Sequence, residues 1–468
     1  MDVKYLKIGG TKLVKEATIT FILNDATIEA YVKGQSATFV TFFKENKLFV
    51  YVKDISEKGQ SYEGIRMLAG NIARDLQKKN IEKANVDDRE FADAFPELEE
   101  SKVITAFVEG WKLGLYEFLT YKSKGEQREV QLTLSQEAVR EKEIQRGKIR
   151  AAATAFSRDL MNEIPSALNP ETFPKILEET FSDSQVEIIV HDKDALEQME
   201  MNGLLAVNRG SKHDPAFIEL HYKGDATKPL VALVGKGVTF DTGGISLKSG
   251  RDLSDMRMDM GGAAAVAGAV KLLADIQAPV NVVGLIQTVE NMPDQHSLLP
   301  GDVITYRNGH TVQVGNTDAE GRLILADGLL RADELEADYI VNIATLTGAI
   351  AFALGPKIAG IFGDETLMEQ MKRVGDENGD FVWPMPLIEA YDKTLKSDYA
   401  DFSNISNQSS AGSITAALFL RRFVKDPSKW IHVDMAGVMD SKEEGYYKNS
   451  ATGFGTRLLA DYTVHISK

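Results

Sequence analysis

The segment PLVALVGKGVTFDTGG, residues 229–244, sets the architecture of the larger part of this 468-residue chain. Its first six residues form a continuous apolar run, which is typical of a strand buried on both faces of a parallel sheet. An Ala- and Gly-rich helix is predicted over 261–276, and a second apolar strand follows over 280–288. A strand, a helix and a strand in this order indicate a sheet covered by helices.

The chain beyond this segment continues the alternation. A hairpin is predicted where Asn308-Gly309 joins two short apolar runs, because this dipeptide favours a two-residue turn. Further strands are predicted over 339–343, 358–362 and 430–433, and further helices over 322–335, 365–374 and 413–424. We therefore expect an α/β domain with a mostly parallel central sheet.

The first part of the chain has a different pattern. Short runs rich in β-branched and aromatic residues predict strands over 17–23, 27–32, 37–43 and 48–52, with helices near 64–79 and 101–119. The segment 136–162 is charged and Ala-rich, so it predicts a long helix that ends before Pro165. We therefore expect a smaller N-terminal α/β domain over 1–135, a connecting helix over 136–165, and the larger C-terminal α/β domain over 166–468.

The composition excludes several kinds of protein. The chain has no cysteine, so disulfide frameworks, thiolate zinc fingers, iron–sulfur clusters and cysteine nucleophiles are excluded. No run of about 18 apolar residues is present, and the start of the chain lacks a signal-peptide pattern. We therefore expect a cytoplasmic protein with no membrane partner.

The net charge of −16 is unevenly distributed. Residues 1–165 carry 26 basic and 26 acidic residues, so the whole excess of acid belongs to 166–468. A solubilising surface explains this excess, and so do carboxylates collected for a metal or a cationic substrate. The acidic balance argues against nucleic acid as a partner, because phosphates need a footprint of Lys and Arg.

The first cluster of chemically useful residues lies around the opening segment. The seven histidines show no pair at the helical spacing of metal ligands, so the chemistry must rest on carboxylates, lysines and arginines. Lys236 and Asp241 are predicted just past the carboxyl end of a central strand, where open α/β sheets bind their ligands. Lys248 follows, and Asp259 stands before the predicted helix, where it is an N-terminal cap, a site residue or both.

The second cluster comprises Asp318, Glu320 and Arg322, which alternate along the chain. In an extended segment, side chains at this spacing project from one face, which suits a convergent polar site. The alternative is a solvated loop in front of the predicted helix 322–335, with the two acids favoured by the helix dipole.

The two clusters together indicate a site for divalent cations. Carboxylate oxygens bind such ions, and one carboxylate can bridge two of them. Two ions about 3.5–4 Å apart can hold a shared water, position a substrate and stabilise a tetrahedral intermediate. Without cysteine or clustered histidine, selection for zinc is weak, so Mn²⁺, Co²⁺ or Mg²⁺ compete with it.

These motifs resemble those of the cytosolic leucyl aminopeptidase family, which are hexameric two-metal aminopeptidases. The octapeptide NTDAEGRL, residues 316–323, resembles the family's signature residue for residue. The resemblance also rests on GKGVTFDTGG at 235–244, DMGG at 259–262 and ATLTGA at 344–349, with weaker similarity at 413–417, 430–434 and 451–455. It covers residues 155–460, whereas the first part of the chain matches only in layout.

The resemblance implies two divalent metal ions per subunit, zinc or manganese, with cobalt or magnesium as substitutes. Asp241 and Glu320 would bridge both ions. Asp318, through its side chain and its main-chain carbonyl, would complete the more exchangeable site, and Lys236 with Asp259 would complete the tighter one. A lysine ligand must be a neutral amine, so the ions must lower its pKa strongly.

The resemblance also implies the catalytic roles. Lys248 would polarise the scissile carbonyl and stabilise the oxyanion, and Arg322 would hold a bicarbonate that acts as general base. Met256, Thr345 and Gly348 would line the pocket for the first side chain of the substrate, which would favour Leu and other apolar residues. Plain core packing is the alternative explanation for a Met or a Thr near a helix.

The resemblance finally implies the partners of the protein. The substrates would be peptides with a free N-terminus, because the amino group would bind the tighter metal ion. The protein would be a homohexamer of two stacked trimers that takes part in peptide turnover, and residues 166–468 would be its two-metal catalytic domain.

Two other functions remain compatible with the residues themselves. A different metallohydrolase, such as a phosphoesterase, can use the same carboxylates, although phosphate groups usually attract more Arg and Lys than these motifs contain. A binding protein that acts through residues 1–165 is the other alternative, since some relatives are DNA-binding regulators. That part of the chain is neutral and has no long basic run.

Overall fold

The computed structural model describes residues 14–21, 32, 37–44, 47–53, 60–125, 128–441, 446–448 and 450–468. The chain divides into two compact units, Met1–Ala152 with Glu443–Lys448 and Ala153–Lys442 with Asn449–Lys468. The division falls inside one long helix, Glu141–Asn162. The predicted domain limits at 135 and 165 stand on either side of it, and they stay predictions. Of the predicted strand 27–32, residues 27–31 lie outside the described residues.

The first unit contains a five-stranded mixed sheet in the order β2-β3-β1-β4-β5. Only the pair β2 and β3 is antiparallel in this sheet. The strands are β1 (Glu16–Thr20), β2 (Phe39–Lys44), β3 (Lys47–Val52), β4 (Lys83–Val86) and β5 (Gln131–Leu134), and the helices are α1 (Tyr62–Lys78), α2 (Phe91–Ala94), α3 (Glu100–Leu115) and α4 (Glu141–Asn162). The α/β character expected of this part is confirmed.

The second unit contains the remaining elements. Its strands are β6 (Val186–His191), β7 (Ala216–Lys223), β8 (Leu230–Asp241), β9 (Asn281–Asn291), β10 (Val303–Thr305), β11 (Thr311–Gln313), β12 (Tyr339–Ala344), β13 (Ala359–Gly363), β14 (Val382–Pro384), β15 (Phe402–Ser403), β16 (Trp430–Asp434), β17 (Asp440–Ser441) and β18 (Ser450–Ala451). Its helices are α5 (Phe173–Phe181), α6 (Lys193–Gln198), α7 (Asn202–Asn208), α8 (Gly261–Asp275), α9 (Glu320–Glu334), α10 (Gly348–Leu354), α11 (Glu365–Asn378), α12 (Gly412–Arg421) and α13 (Thr456–Ile466).

The main sheet of the second unit has eight strands in the order β14-β13-β16-β12-β8-β9-β7-β6. Its central strands β16, β12, β8 and β9 are parallel, whereas β13 and β7 join the centre in antiparallel pairs. The predicted mostly parallel central sheet is therefore confirmed. The hairpin predicted at Asn308-Gly309 is confirmed, because β10 and β11 pair antiparallel. The predicted two-residue turn is wrong, because the strand pairing ends at Thr305 and Thr311 and, of the dipeptide, Gly309 has a positive φ of 90° whereas Asn308 does not.

Helices α8 and α9 cover opposite faces of the central strands. A Cβ placed on Gly235 of β8 would lie 2.8 Å from Cα of Ala263 in α8, so Gly235 faces that helix. The next residue, Lys236, points the other way, because its Cε lies 2.7 Å from where a Cβ of Gly321 in α9 would stand. The connection from β8 to β9 therefore crosses one face, and the connection from β9 to β12 crosses the other. Such a reversal next to β8 opens a crevice at the carboxyl ends of the strands, where α/β proteins bind ligands.

Strand β8 contains a β-bulge between Val238 and Phe240. Before the bulge, Lys236 pairs with Gln287 of β9, and after it Asp241 pairs with Asn291. Positions 287 and 291 lie on the same face of β9, so Lys236 and Asp241 also share a face. Without the extra residue, side chains five positions apart would point to opposite faces. The bulge therefore brings Asp241 to the side of the sheet that carries Lys236 and α9.

The core of the second unit lies between the sheet and these helices. Val234 of β8, Leu285 of β9 and Leu325 of α9 are fully buried members of one apolar cluster. No helix among the described residues is long and apolar enough to span a bilayer.

Gly262 offers a test of the close contact between α8 and the sheet. A Cβ at this position would stand 2.2 Å from the carbonyl oxygen of Ile343 and 2.9 Å from the backbone N of Lys236. We expect Gly262→Ala to lower the free energy of unfolding by about 1–3 kcal/mol, because backbone must move to admit the methyl group. Urea unfolding of the purified variant measures this loss.

Gly348→Ala is the matched control for this substitution. A Cβ on Gly348 has no heavy atom within 4 Å, so we expect this change to alter stability by less than about 0.5 kcal/mol. Equal losses for the two variants would contradict the explanation by close backbone approach.

Candidate metal centre

Lys236 stands at the centre of a buried group of charges. Its Nζ lies 2.7 Å from Oδ2 of Asp259 and 2.7 Å from Oε1 of Glu320, and it donates a hydrogen bond to the carbonyl oxygen of Thr345 at 3.0 Å. The side chain is 3% exposed. The sequence places Lys236 and Asp241 just past the end of a strand, and this expectation is wrong. Both lie within β8, because β9 continues to pair with it up to Asp241, although β12 leaves it after Gly235.

Lys248 makes a second bridge between carboxylates of the two clusters. Its Nζ lies 2.7 Å from Oδ2 of Asp241 and also binds Oδ1 of Asp318. Lys236 and Lys248 each form ion pairs with two acids, so two ammonium groups are shared among four carboxylates. If all six groups are ionised, this set has a formal charge of −2, which favours the binding of cations.

Three of the carboxylates lie close enough together to share a metal ion. One carboxylate oxygen from each of Asp241, Asp259 and Glu320 lies within 4.8 Å of the others, and all three residues are buried. Asp318 is outside this group and reaches it through Lys248. Asp259 is not an N-terminal helix cap, since Met260 holds that position in α8. Its Oδ1 instead accepts a hydrogen bond from the hydroxyl of Thr345 at 2.8 Å.

The octapeptide 316–323 is not the extended segment expected from the sequence. Asp318 lies in a turn, and Glu320 begins α9, with Arg322 in its first turn. The expectation is wrong because the helix starts two residues earlier than predicted, at Glu320. The N-terminal end of the helix dipole stabilises the Glu320 carboxylate, as the alternative interpretation expected. The solvated loop of that interpretation is wrong for Glu320, which is 1% exposed.

Burial and mutual repulsion change the ionisation of these groups. Burial, reinforced by neighbouring carboxylates, raises the pKa values of Asp259, Asp318 and Glu320 above their ordinary range. Burial alone would lower the pKa values of Lys236 and Lys248, but the adjacent carboxylates outweigh it and raise both. The acids therefore need positive charge beside them in order to remain ionised.

Arg322 is buried beside this centre with part of its hydrogen-bonding capacity unused. Its Nη1 donates to the carbonyl oxygen of Asn404 at 2.8 Å, whereas the buried Nε has no hydrogen-bond partner among the residues that the structure describes. Burial lowers the pKa of Arg322 to about 10, so the guanidinium still carries its charge at neutral pH. An N–H group that remains available on a charged, buried side chain suits a small anion.

Asn404 braces the octapeptide loop, and the sequence gives no sign of this role. The residue is fully buried directly after β15. Its Oδ1 accepts from the backbone N–H groups of Gly315 and Asn316 at 2.8 and 3.3 Å. Its Nδ2 donates to the carbonyl oxygens of Asn316 and Ala319 at 2.8 and 3.3 Å. One amide side chain therefore holds the turn that presents Asp318.

Asn291 ties the two clusters together, and it is also missing from the residues singled out in the sequence. Its Nδ2 donates to Oδ1 of Asp241 at 2.8 Å and to the carbonyl oxygen of Thr317 at 3.0 Å. The hydroxyl of Thr317 in turn donates to the carbonyl oxygen of Gly243 at 2.6 Å. A polar residue at the end of strand β9, next to β8, is the one signal that points to Asn291.

The three residues predicted to line a substrate pocket lie in different settings. Met256 is 8% exposed in a short 3₁₀-helix, Ser254–Met258. Thr345 is 6% exposed and is committed to Asp259 through its hydroxyl. Gly348 begins α10 and faces open space. Thr345 therefore contacts the charged centre. The roles of Met256, Thr345 and Gly348 in a substrate pocket stay predictions.

Family models match most of the chain. The model described as "Cytosol aminopeptidase family, catalytic domain" matches residues 155–460. The model described as "Cytosol aminopeptidase family, N-terminal domain" matches residues 56–125. The two matches fall in the order expected of a two-domain member of this family.

Individual relatives agree with the models. The cytosol aminopeptidase of Bos taurus is 41% identical over 371 residues, which are 78% of this chain and 71% of the bovine protein. The probable cytosol aminopeptidase of Chlorobium phaeobacteroides is 38% identical over 465 residues, which are 94% of this chain and 92% of that protein. The solved structure of the bottromycin maturation enzyme BotP in complex with Mn is 30% identical, with a TM-score of 0.88, and the match covers 97% of this chain and all of that one. The chain therefore belongs to the cytosol aminopeptidase family and is a metal-dependent aminopeptidase, a hydrolase.

Proposed function

We propose that the protein is a two-metal, leucyl-type aminopeptidase that releases apolar N-terminal residues from peptides. One observation carries this proposal: three buried carboxylates, Asp241, Asp259 and Glu320, place oxygens within 4.8 Å of one another. The residues fit divalent cations, because the acids of this centre outnumber the two ammonium groups beside them. The family membership speaks against the alternative of a phosphoesterase.

The charge pairs support a division of the ligands between two ions. Lys236 lies between Asp259 and Glu320, and we assign these three residues to the tighter ion. Lys248 lies between Asp241 and Asp318, and these two acids would hold the more exchangeable ion, while Asp241 and Glu320 would contribute to both ions. The structure of BotP in complex with Mn supports manganese as one candidate, beside zinc, cobalt and magnesium.

The chain's own residues then have separate tasks. When bound, the ions supply a water nucleophile of lowered pKa and a Lewis acid for the scissile carbonyl. Lys248, a charged donor at the centre that is 14% exposed, stabilises the oxyanion as negative charge develops. Arg322 would hold a bicarbonate through its buried Nε, which has no hydrogen-bond partner among the described residues, and such an anion would supply a general base. Asn404 and Asn291 hold the loop of Asp318 in place.

The substrate preference is part of the proposal. Gly348 faces open space and Met256 supplies an adaptable apolar side chain, which suits a first residue such as Leu or Met. The hydroxyl of Thr345 donates to Asp259, so a pocket that includes Thr345 would adjoin the charged centre. We further propose that the substrates are peptides with a free N-terminus and that the enzyme acts in the cytoplasm as a homohexamer, as the family resemblance implies.

Metal removal tests the proposed site directly. We expect exhaustive chelation to abolish hydrolysis of Leu-p-nitroanilide, and added Mn²⁺ or Zn²⁺ to restore it, because the carboxylates act through the ions that they hold. Metal analysis of the restored enzyme should give two ions per chain. Full activity after chelation would contradict the metal site, and saturation at one ion per chain would contradict the two-metal assignment.

Lys248→Ala tests the assignment of the oxyanion donor. We expect kcat to fall by about 10²–10³-fold, with much less change in bound metal, since the lost interaction is strongest in the transition state. The matched control is Lys271→Ala, which removes a lysine paired with Asp275 on the outer surface of α8 and should leave kcat unchanged. An unchanged kcat in Lys248→Ala would refute this role.

Asn404→Ala tests the brace on the octapeptide loop. We expect Mn²⁺ to bind the chelated variant about 10–100-fold more weakly, because the loop that presents Asp318 loses its side-chain hydrogen bonds. Titration of Mn²⁺ without substrate measures this affinity. Asn202→Ala, which removes one hydrogen bond to the carbonyl oxygen of Thr305, is the control for loss of an amide side chain. Equal Mn²⁺ affinity in both variants would show that Asn404 does not position the site.

A further inference from the structure

The first unit contains a cavity whose lining is strongly basic. Its volume is about 700 Å³, and it lies between the end of α1, residues 117–125, Arg128 and Lys448. The cationic side chains that line it are Arg74, Lys78, Lys122, Lys124, Arg128 and Lys448, whereas Glu117 is the one acidic residue of the described lining. The described lining therefore has a formal charge of +5 within a chain whose net charge is −16.

Most of these positive charges are not neutralised within the described part of the chain. Lys448 forms an ion pair with Glu117. Lys78, Lys122 and Lys124 have no carboxylate within salt-bridge distance among the described residues, and Arg128 binds the neutral side-chain oxygen of Asn80. Like charges around one concave surface repel one another and focus the field into the cavity.

The walls of the cavity are fixed by hydrogen bonds at two points. Arg74, which is 6% exposed, donates through Nε to the carbonyl oxygen of Gly114 at 3.0 Å and through Nη2 to that of Tyr446 at 2.9 Å. Gln77 donates through Nε2 to the carbonyl oxygen of Arg128 at 2.8 Å. The guanidinium of Arg74 is therefore held rigidly at the cavity, while the exposed Lys122 and Lys124 can adjust to a ligand.

We propose that this cavity is a binding site for a small polyphosphate anion, such as a triphosphate group. A ligand must carry several negative charges to satisfy the cations, and phosphate oxygens are their strongest small partners. No aromatic residue of the described chain lines the cavity, so a base has nothing to stack on. The site therefore recognises the phosphates of a ligand and does not read a nucleoside or a single-stranded nucleic acid.

Calorimetric titration of the metal-loaded full-length enzyme tests this proposal. Sodium tripolyphosphate is added at low ionic strength with Mg²⁺ in excess, to the wild type and to the double variant Lys122→Ala/Lys124→Ala. We expect the double variant to bind about tenfold or more weakly, because it loses two charge-assisted contacts. The difference between the proteins is the signal, since chelation of catalytic ions contributes equally to both.

The matched control is Lys83→Ala/Lys102→Ala, which removes two exposed lysines of the same unit that do not line the cavity. We expect it to bind tripolyphosphate as the wild type does, and both double variants to keep their aminopeptidase activity and unfolding temperature. If both double variants bind tripolyphosphate with the same loss of affinity, the loss comes from net charge alone and the proposed site is wrong. Absence of binding to the wild type would overturn it as well.

Two further ligands test the assignment to phosphate groups. ATP should bind within a fewfold of tripolyphosphate, and affinity that depends on the nucleoside would overturn the assignment. A short DNA duplex should bind no better than its charge density predicts, with no difference between the two double variants. If duplex DNA binds and tripolyphosphate does not, the cavity is part of a nucleic-acid surface and the proposal is wrong.

Discussion

Mutual repulsion among four carboxylates is the constraint on which the catalytic unit depends. Burial, and after it the negative charge of neighbouring carboxylates, raises the pKa values of Asp259, Asp318 and Glu320, so these groups are costly to ionise side by side. Two lysines relieve part of this repulsion, and bound cations relieve more. The N-terminus of α9 adds a partial positive charge next to Glu320. The affinity of this unit for metal ions therefore comes from carboxylates whose ionisation is costly when no metal ion is bound.

The backbone around the site is built to keep the acids together. The bulge in β8 turns Asp241 to the face of Lys236, and Asn291 holds its carboxylate from the neighbouring strand. Gly262 at the start of α8 allows that helix to approach the backbone of β12 and β8. Asn404 fixes the loop on the other side. The ligands are thus positioned by rigid elements, which limits how far they can move apart when they repel one another.

The sequence predicted the fold class, the parallel centre of the main sheet and the residue types of the site. These features depend on local patterns, such as the apolar run at 229–234 and the signature octapeptide. The bulge was missed because the apolar run ends at Val234, so the strand was not expected to continue to Asp241; Gly237, a glycine inside the strand, is a local signal for it. The role of Asn404 could not be predicted, since it acts on a loop 88 positions earlier in the chain. The sequence predicts that α9 starts two residues later than it does. It therefore places Glu320 in an extended segment, whereas Glu320 begins the helix.

The spacing of the contributing residues has a consequence for biosynthesis. The charged centre draws on β8, α8, α9 and the end of β12, and its brace arrives only with Asn404. A nascent chain that ends at the octapeptide therefore lacks Thr345 and Asn404, which contact the charged centre and hold the loop. Peptidase activity therefore requires that translation of the second unit is nearly complete. The order of these residues along the chain thus delays the assembly of the site until the segment around Asn404 has been made.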